Sequence, residues 1–198
     1  MEKGQNTNRP AEGSSISVEP IRQKKHIADL KTLLKDKPLD HCLFITGINT
    51  NLRASDLLSL KVDEVKNLKP GDSFEVKERK TKKKKRVNLN KAVVDSIQNL
   101  VRNGKCQNGD FLFIGQRGNV LSVPSLNLKI KRWMKRLNIK GNYGCHTLRK
   151  TWAFQQYKHN NATLPQLMKA LNHSSQAITL RYLGIQEKEL ADLYAYEV

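Results

Sequence analysis

No apolar run in this 198-residue sequence approaches the roughly 18 residues that a membrane-spanning helix needs, and the N-terminus carries no signal-type hydrophobic stretch. Membrane insertion is therefore not expected. Cysteine is scarce: Cys42, Cys106 and Cys145 are odd in number, far apart and outside any zinc-ligand spacing. They read as reduced, mostly buried thiols of a cytoplasmic protein. Aromatic residues make up only 6%, with no paired stacking aromatics of the kind single-strand binders use, which argues against a basic RNA-binding module. No G-x-x-x-x-G-K-[ST] loop, carboxylate cluster or internal repeat is found. Acidic residues are also short: 18 Asp and Glu face 36 Lys and Arg, a net charge of +18. A field of that sign attracts polyanions, so nucleic acid or an acidic membrane surface is the default partner. Composition alone also admits a highly soluble or ribosome-associated basic protein.

What is present is one domain's worth of chain. Residues 1 to about 17 are polar, with little to bury, and read as a disordered tail. From Val18 the apolar pattern becomes periodic. Ser17 is expected to cap a helix opening near Pro20 and running to about Lys35. A second helix should follow Pro38 and end near Gly47, and a short third should hold Leu57, Leu58 and Leu60. Pro70-Gly71-Asp72 reads as a turn, Ser73 to Lys77 as a strand, and Arg86-Val87-Asn88-Leu89 as a second strand. Between them Glu78 to Lys85 forms the cationic turn end of a β-hairpin. Val93, Val94, Ile97, Leu100 and Val101 give a helical stripe, and Asp110 to Ile114 a candidate third strand. A longer helix carries Leu126, Ile130, Trp133, Met134 and Leu137, and the last sixty or so residues read as helical, with breaks near Asn160 and Asn172 and at Gly184. The fold class is thus mixed α/β, mostly α-helical with a small antiparallel β-sheet.

Four separated segments hold residue types suited to phosphoryl transfer onto a side chain. In His146-Thr147-Leu148-Arg149 the His and Arg share a helix face and could both reach one phosphate; as an isolated pattern it is a surface pair. Leu171-Asn172-His173-Ser174-Ser175 places a His in a turn between apolar helices, where a structural role is the bland alternative. Arg181-Tyr182-Leu183-Gly184 ends a helix with a Tyr that core packing would equally explain. In Asn51-Leu52-Arg53-Ala54-Ser55-Asp56 an Arg opens an apolar helix, with an acid near enough to pair with it.

Taken together and in this order, NLRASDLLSL, the basic hairpin, HTLRKTWA, LNHSS and ITLRYLG resemble the tyrosine recombinase (phage integrase) family over roughly residues 20 to 195. The resemblance implies a catalytic domain over 18–198, a DNA strand transferase whose nucleophile is Tyr182. Its phenolate would attack a backbone phosphorus to give a 3′-phosphotyrosyl bond and a free 5′-hydroxyl. Arg53 and Arg149 match the family's two phosphate-clamping arginines, His173 the second His that donates to the same phosphate, and His146 the group that accepts the tyrosine proton or orients the site. The general acid for the leaving oxygen corresponds to Lys80, followed by Thr81. Lys82, Lys83, Lys84, Lys85 and Arg86 would then hold phosphates, positioning the duplex without reading it. Asp56 matches the acid that orients Arg53.

The resemblance further implies double-stranded DNA as partner, a homotetramer on DNA from a protein monomeric when free, and an accessory DNA-bending protein as a possible helper. It implies no ATP, metal or other cofactor, and a cytoplasmic, nucleoid-associated protein. The outcome would be integration, excision or inversion. The family's C-terminal segment, here Ile185 to Val198 with Leu190, Leu193 and Tyr194, either packs on a neighbouring protomer or folds back on its own domain. Two departures stand out: no N-terminal core-binding domain is expected ahead of residue 18, and Asn172 occupies a position usually held by Gly. Two other readings share the chemistry or the fold: a type IB topoisomerase that religates the same strand, and a catalytically silent DNA-binding regulator.

Overall fold

The computed structural model describes residues 17–80, 82–104, 106 and 109–185. The described residues open with a strap over 17–22 that lies outside any helix, followed by helix α1 (Lys24–Leu34) and helix α2 (Pro38–Asn49). Two single-turn helices, α3 (Ala54–Leu57) and α4 (Val62–Val65), lead to strands β1 (Ser73–Lys77) and β2 (Lys84–Asn88). Helices α5 (Lys91–Asn103), α6 (Val123–Arg136), α7 (Cys145–His159), α8 (Leu164–Leu171) and α9 (Gln176–Leu183) complete the described residues. No helix among them is long and apolar enough to cross a membrane.

Helix α2 is the hub. Its run Cys42 to Gly47 is buried on every side, as expected for a helix enclosed by others. Against it α5 lays the stripe Val93, Val94, Ile97 and Leu100, its first turn satisfied by the Asn90 side chain, which accepts from the Val93 amide at 3.0 Å. Each such residue contributes about 1.5–3 kcal/mol of transfer free energy on burial. Helix α6 packs Trp133 edge-on to Phe44, with ring centroids 6.2 Å apart, and the indole N–H donates to Asp40 at 3.1 Å. Helix α7 crosses α2 at Gly47. A Cβ there would lie 2.5 Å from Leu148 Cδ1, so a larger residue would force Leu148 to shift, and glycine gives α7 and its His146-to-Arg149 turn this close approach without rearrangement.

A second, smaller apolar cluster joins α7, α8 and α9 through Ala153, Leu167, Leu171 and Leu183, with Tyr182 packed on its edge. The hairpin and α3 belong to the main cluster, so the seam between the two clusters carries the segments singled out above.

The strands pair antiparallel, Val76 opposite Lys85 and Phe74 opposite Val87, as the alternating pattern predicts. Four expectations are corrected. The first helix starts at Lys24, not Pro20, because tertiary bonds hold residues 17–22 out of the helix: the Ile21 amide donates to Thr151 Oγ1 at 2.8 Å and the Glu19 amide to Asn142 O at 2.7 Å. Ser17 caps no helix; its hydroxyl accepts from Lys150 Nζ at 2.8 Å. The third helix stops at Leu57, leaving Leu60 outside it. Asp110 to Ile114 makes only isolated bridges, Lys61 with Phe111 and Ile114 with Val120, since the chain runs alongside the non-strand residues Leu60 to Val62. The tail before Ser17, Thr81, and the segment after Ile185 with Leu190, Leu193 and Tyr194 lie outside the described residues.

Candidate active site

Two helix ends deliver the imidazole and phenol of the last segments. Helix α8 opens with a Thr163–Gln166 capping box and closes on Asn172 in the left-handed conformation, φ 57°. Asn tolerates that region better than other side-chain-bearing residues, so it can stand in for glycine, and the His173 amide returns to Met168 O at 3.0 Å. Helix α9 is capped by Ser175 and ends on Gly184, φ 64°. The turn between them sets the His173 and Tyr182 rings edge to face, 5.1 Å between centroids. His173 Nδ1 is engaged with Thr179 Oγ1 at 3.1 Å, leaving Nε2 as the nitrogen available to a substrate.

Arg149 enters from α7 and is only 4% exposed. Its Nη2 donates to Leu171 O at 2.9 Å, at the C-terminal end of α8, where the unpaired carbonyls carry partial negative charge. Its Nη1 and the Tyr182 hydroxyl are both buried without an aligned hydrogen bond, although the guanidinium lies close enough to favour the phenolate. Burial dominates: the Tyr182 pKa is pushed up to about 12, with Arg149 and Arg53 pulling the other way. Lys150, one residue beyond Arg149, sets its ammonium 5.2 Å from the Tyr182 ring centroid.

Arg53 is the N-cap of α3 and ion-pairs with Glu78, whose carboxylate is almost wholly buried. Asp56 is fully buried, and its Oδ1 accepts from the Arg79 amide at 3.0 Å while Oδ2 has no partner. It thus anchors the hairpin end rather than pairing with Arg53. His146 is exposed at the rim, yet partial burial of its imidazole lowers its pKa, helped by Arg149, Lys150, Lys80 and Arg53. His173 is lowered by burial and by the same two arginines. Both imidazoles are therefore mainly neutral at pH 7, and each can take up a proton.

The structure thus gathers Arg53, His146, Arg149, His173 and Tyr182, from four separated segments, into one electrostatically connected group. Lys80 is exposed on the hairpin turn but within electrostatic reach of His146. The other hairpin cations divide by strand face. Lys84 and Arg86 point outward, Lys84 to Glu75 at 3.4 Å and Arg86 to Ser73 Oγ at 2.7 Å, and Lys82 and Lys83 are exposed on the turn. Lys85 turns inward, half-buried, and donates to Asn51 O at 2.7 Å. The sequence reading missed Glu78 as a partner of Arg53 and Lys85 as an inward residue. The strand period would have found both: Val76 and Glu78 share one face of the hairpin, as do Lys85, Val87 and Leu89. Lys150, Asn51 and the strap residue Arg22, which donates to Gly184 O beneath the tyrosine helix, gave no sequence signal.

Known proteins decide the family. The phage integrase family model matches residues 23–189. The chain belongs to the phage integrase family. Among its relatives, the probable integrase/recombinase YoeC of Bacillus subtilis (strain 168) is 34% identical over 171 residues, covering 86% of this chain and 91% of that protein. The tyrosine recombinase XerC of Caldanaerobacter subterraneus subsp. tengcongensis is 26% identical over 160 residues, covering 79% of this chain but 44% of its own length. The chain spans about half the length of the Xer relatives it matches. The crystal structure of XerA recombinase superposes with a TM-score of 0.72 at 19% identity, over 91% of this chain and 66% of that one. XerH recombinase bound to its palindromic difH substrate, a post-cleavage complex, gives 0.70 at 19%, over 92% and 54%. These likenesses show that the fold is that of a tyrosine recombinase catalytic domain.

Proposed function

We propose that this phage integrase family member is a site-specific DNA recombinase that breaks and rejoins strands through a covalent phosphotyrosine. The observation that carries the reading is the convergence of two guanidinium groups and an imidazole on a buried phenol whose hydroxyl and neighbouring Arg149 Nη1 both lack an aligned hydrogen bond. A phosphate diester is the ligand such a set of donors fits. Tyr182 is the nucleophile: its oxygen bonds to phosphorus, the P–O5′ bond breaks, and the 3′-phosphate remains on the protein. His146, mainly neutral at pH 7, takes the phenol proton. Lys80, from the hairpin turn, protonates the departing 5′-oxygen. Arg53 and Arg149 hold the nonbridging oxygens, with His173 Nε2 as third donor. Because the bond energy stays in the phosphotyrosine, rejoining needs only attack by a 5′-hydroxyl, without ATP or metal.

Residues 18–198 act as the catalytic domain on double-stranded DNA, and a homotetramer carries out exchange between two duplexes. Lys82, Lys83 and Lys84 with Arg86 supply phosphate contacts around the site. The +18 net charge supports a steep salt dependence of binding.

The test uses the full chain with nicked duplexes drawn from its own genomic neighbourhood, which lose the 5′-hydroxyl fragment after cleavage. The expected result is a protein–DNA adduct on a denaturing gel, formed equally in EDTA and reversed by added 5′-hydroxyl strand. Tight, salt-sensitive binding without an adduct would contradict the reading.

A further inference from the structure

We propose that Lys85 is a positioning residue for strand cleavage: from β2 its ammonium holds the Asn51 carbonyl and so fixes the loop that presents Arg53 to the phosphate. The proposal rests on the strand-transfer reading above and goes beyond it in assigning a second hairpin lysine to the site itself rather than to the DNA backbone.

The register puts Lys85 opposite Val76 and on the face of the buried Val87 and Leu89, where an apolar side chain would pack at lower cost. Instead its Nζ donates to Asn51 O at 2.7 Å. Asn51 is 2% exposed, adopts φ 53° and stands two residues before Arg53. Its own side chain donates to Ala170 O at 2.8 Å, next to the Leu171 carbonyl that takes Arg149 Nη2 at 2.9 Å. Hydrogen bonds thus run from the hairpin through the Arg53 loop to the last turn of α8, which carries His173. Arg149 and the Arg53 loop are thus held by two consecutive carbonyls, Leu171 and Ala170. Removing the Lys85 ammonium frees the Asn51 carbonyl and leaves the hairpin tied to the Arg53 loop only through Glu78 and Arg79, while Arg149 keeps its own bond to Leu171.

The charges facing Lys85 are Arg149 from α7, Arg53 at the N-cap of α3, Asp56 within α3 and Glu78 just past β1. Burial is the largest influence and Arg149 the next; together they lower its pKa to about 8, against the opposing pull of Glu78 and Asp56. A lysine whose folded pKa falls below its unfolded value opposes folding where both states are protonated, below about 8, and that opposition is relieved as pH rises toward 10.5. Lys85 therefore serves the site at a cost to the fold, the reverse of what a purely structural residue would do.

The experiment compares full-length wild type, Lys85→Met and Lys85→Arg on the nicked duplex at subsaturating DNA. It reads the adduct-forming rate against pH, the DNA dissociation constant, and Tm at pH 7. Misplacement of a transition-state group costs about 10²-fold, so Lys85→Met is expected to cleave about 10²-fold slower. Its affinity should stay within about threefold of wild type, as loss of a single charge contact allows. Its Tm should equal or exceed that of wild type. Wild-type cleavage should fall as pH rises through about 8, when the free enzyme loses the ammonium. Lys85→Arg, always charged, should restore most of the rate and carry it to higher pH. Wild-type-like cleavage by Lys85→Met overturns the proposal, as does a rate loss accompanied by a lowered Tm. A wild-type protein that forms no adduct overturns the strand-transfer reading, and this inference with it.

Discussion

Tyr182→Phe should form no covalent adduct with nicked DNA, a loss on the order of 10⁴-fold or more, as when a nucleophile is deleted from a pre-formed site. It should nevertheless bind the same duplex as wild type does. The physical grounds lie in what the hydroxyl does not do. It is buried without an aligned hydrogen bond, with only the neighbouring Arg149 guanidinium, already bonded to Leu171 O, within its reach, so its deletion leaves little unsatisfied. The ring keeps its edge contact with His173 at 5.1 Å and the Lys150 ammonium at 5.2 Å. The variant should therefore fold as well as wild type, with Tm unchanged or slightly raised by relief of the buried polar atom. A thermal melt and an anisotropy titration run beside the adduct gel check this. A Tm drop of several degrees would mean that the hydroxyl is structural.

Arg149→Ala is the second large effect. Its Nη1 has no partner, while Nη2 is spent on Leu171 O, so the guanidinium is held by one edge and presents the other to Tyr182 and its phosphate. Removing a pre-organised donor that meets developing charge costs about 10²–10³-fold, and the loss should fall on the single-turnover cleavage rate more than on affinity. Arg149→Lys should recover little, because an ammonium cannot bond the α8 carbonyl and the phosphate in the same planar geometry. Folding should suffer modestly: the Leu171 carbonyl loses its donor, costing about 1–3 kcal/mol, but a buried charge is also removed. A fall in affinity that matches the fall in rate would contradict a transition-state role.

The sequence carried the elements whose apolar period is strong. The α5 stripe, the Trp133 face of α6 and the β1–β2 alternation each appear where their patterns place them. Failures came where long-range bonds outbid local preference. Ser17 and Pro20 look like a helix start, but Thr151, Asn142 and Lys150, all distant in the chain, hold that segment out of the helix. Asp110 to Ile114 has strand-like composition but meets Leu60 to Val62, which are not a strand.

In the site, the residues with recognisable spacing were legible, whereas their supports were not. Treating Lys82 to Lys85 as one cationic block hid the two-residue alternation that turns Lys85 inward. Glu78 falls within the cationic turn end of the hairpin pattern, yet burial beside Arg53 makes it the counter-ion. Lys150 follows a conspicuous Arg and shows its role only once α9 lies across α7.

The most direct test of the central claim is to isolate the adduct formed on nicked duplex, digest it with protease and nuclease, and identify the modified peptide by mass spectrometry. The account predicts a nucleotide attached through its 3′-phosphate to the Tyr182 side chain. Attachment to another residue, linkage through a 5′-phosphate, or no modified peptide from a protein that binds the duplex tightly would contradict it.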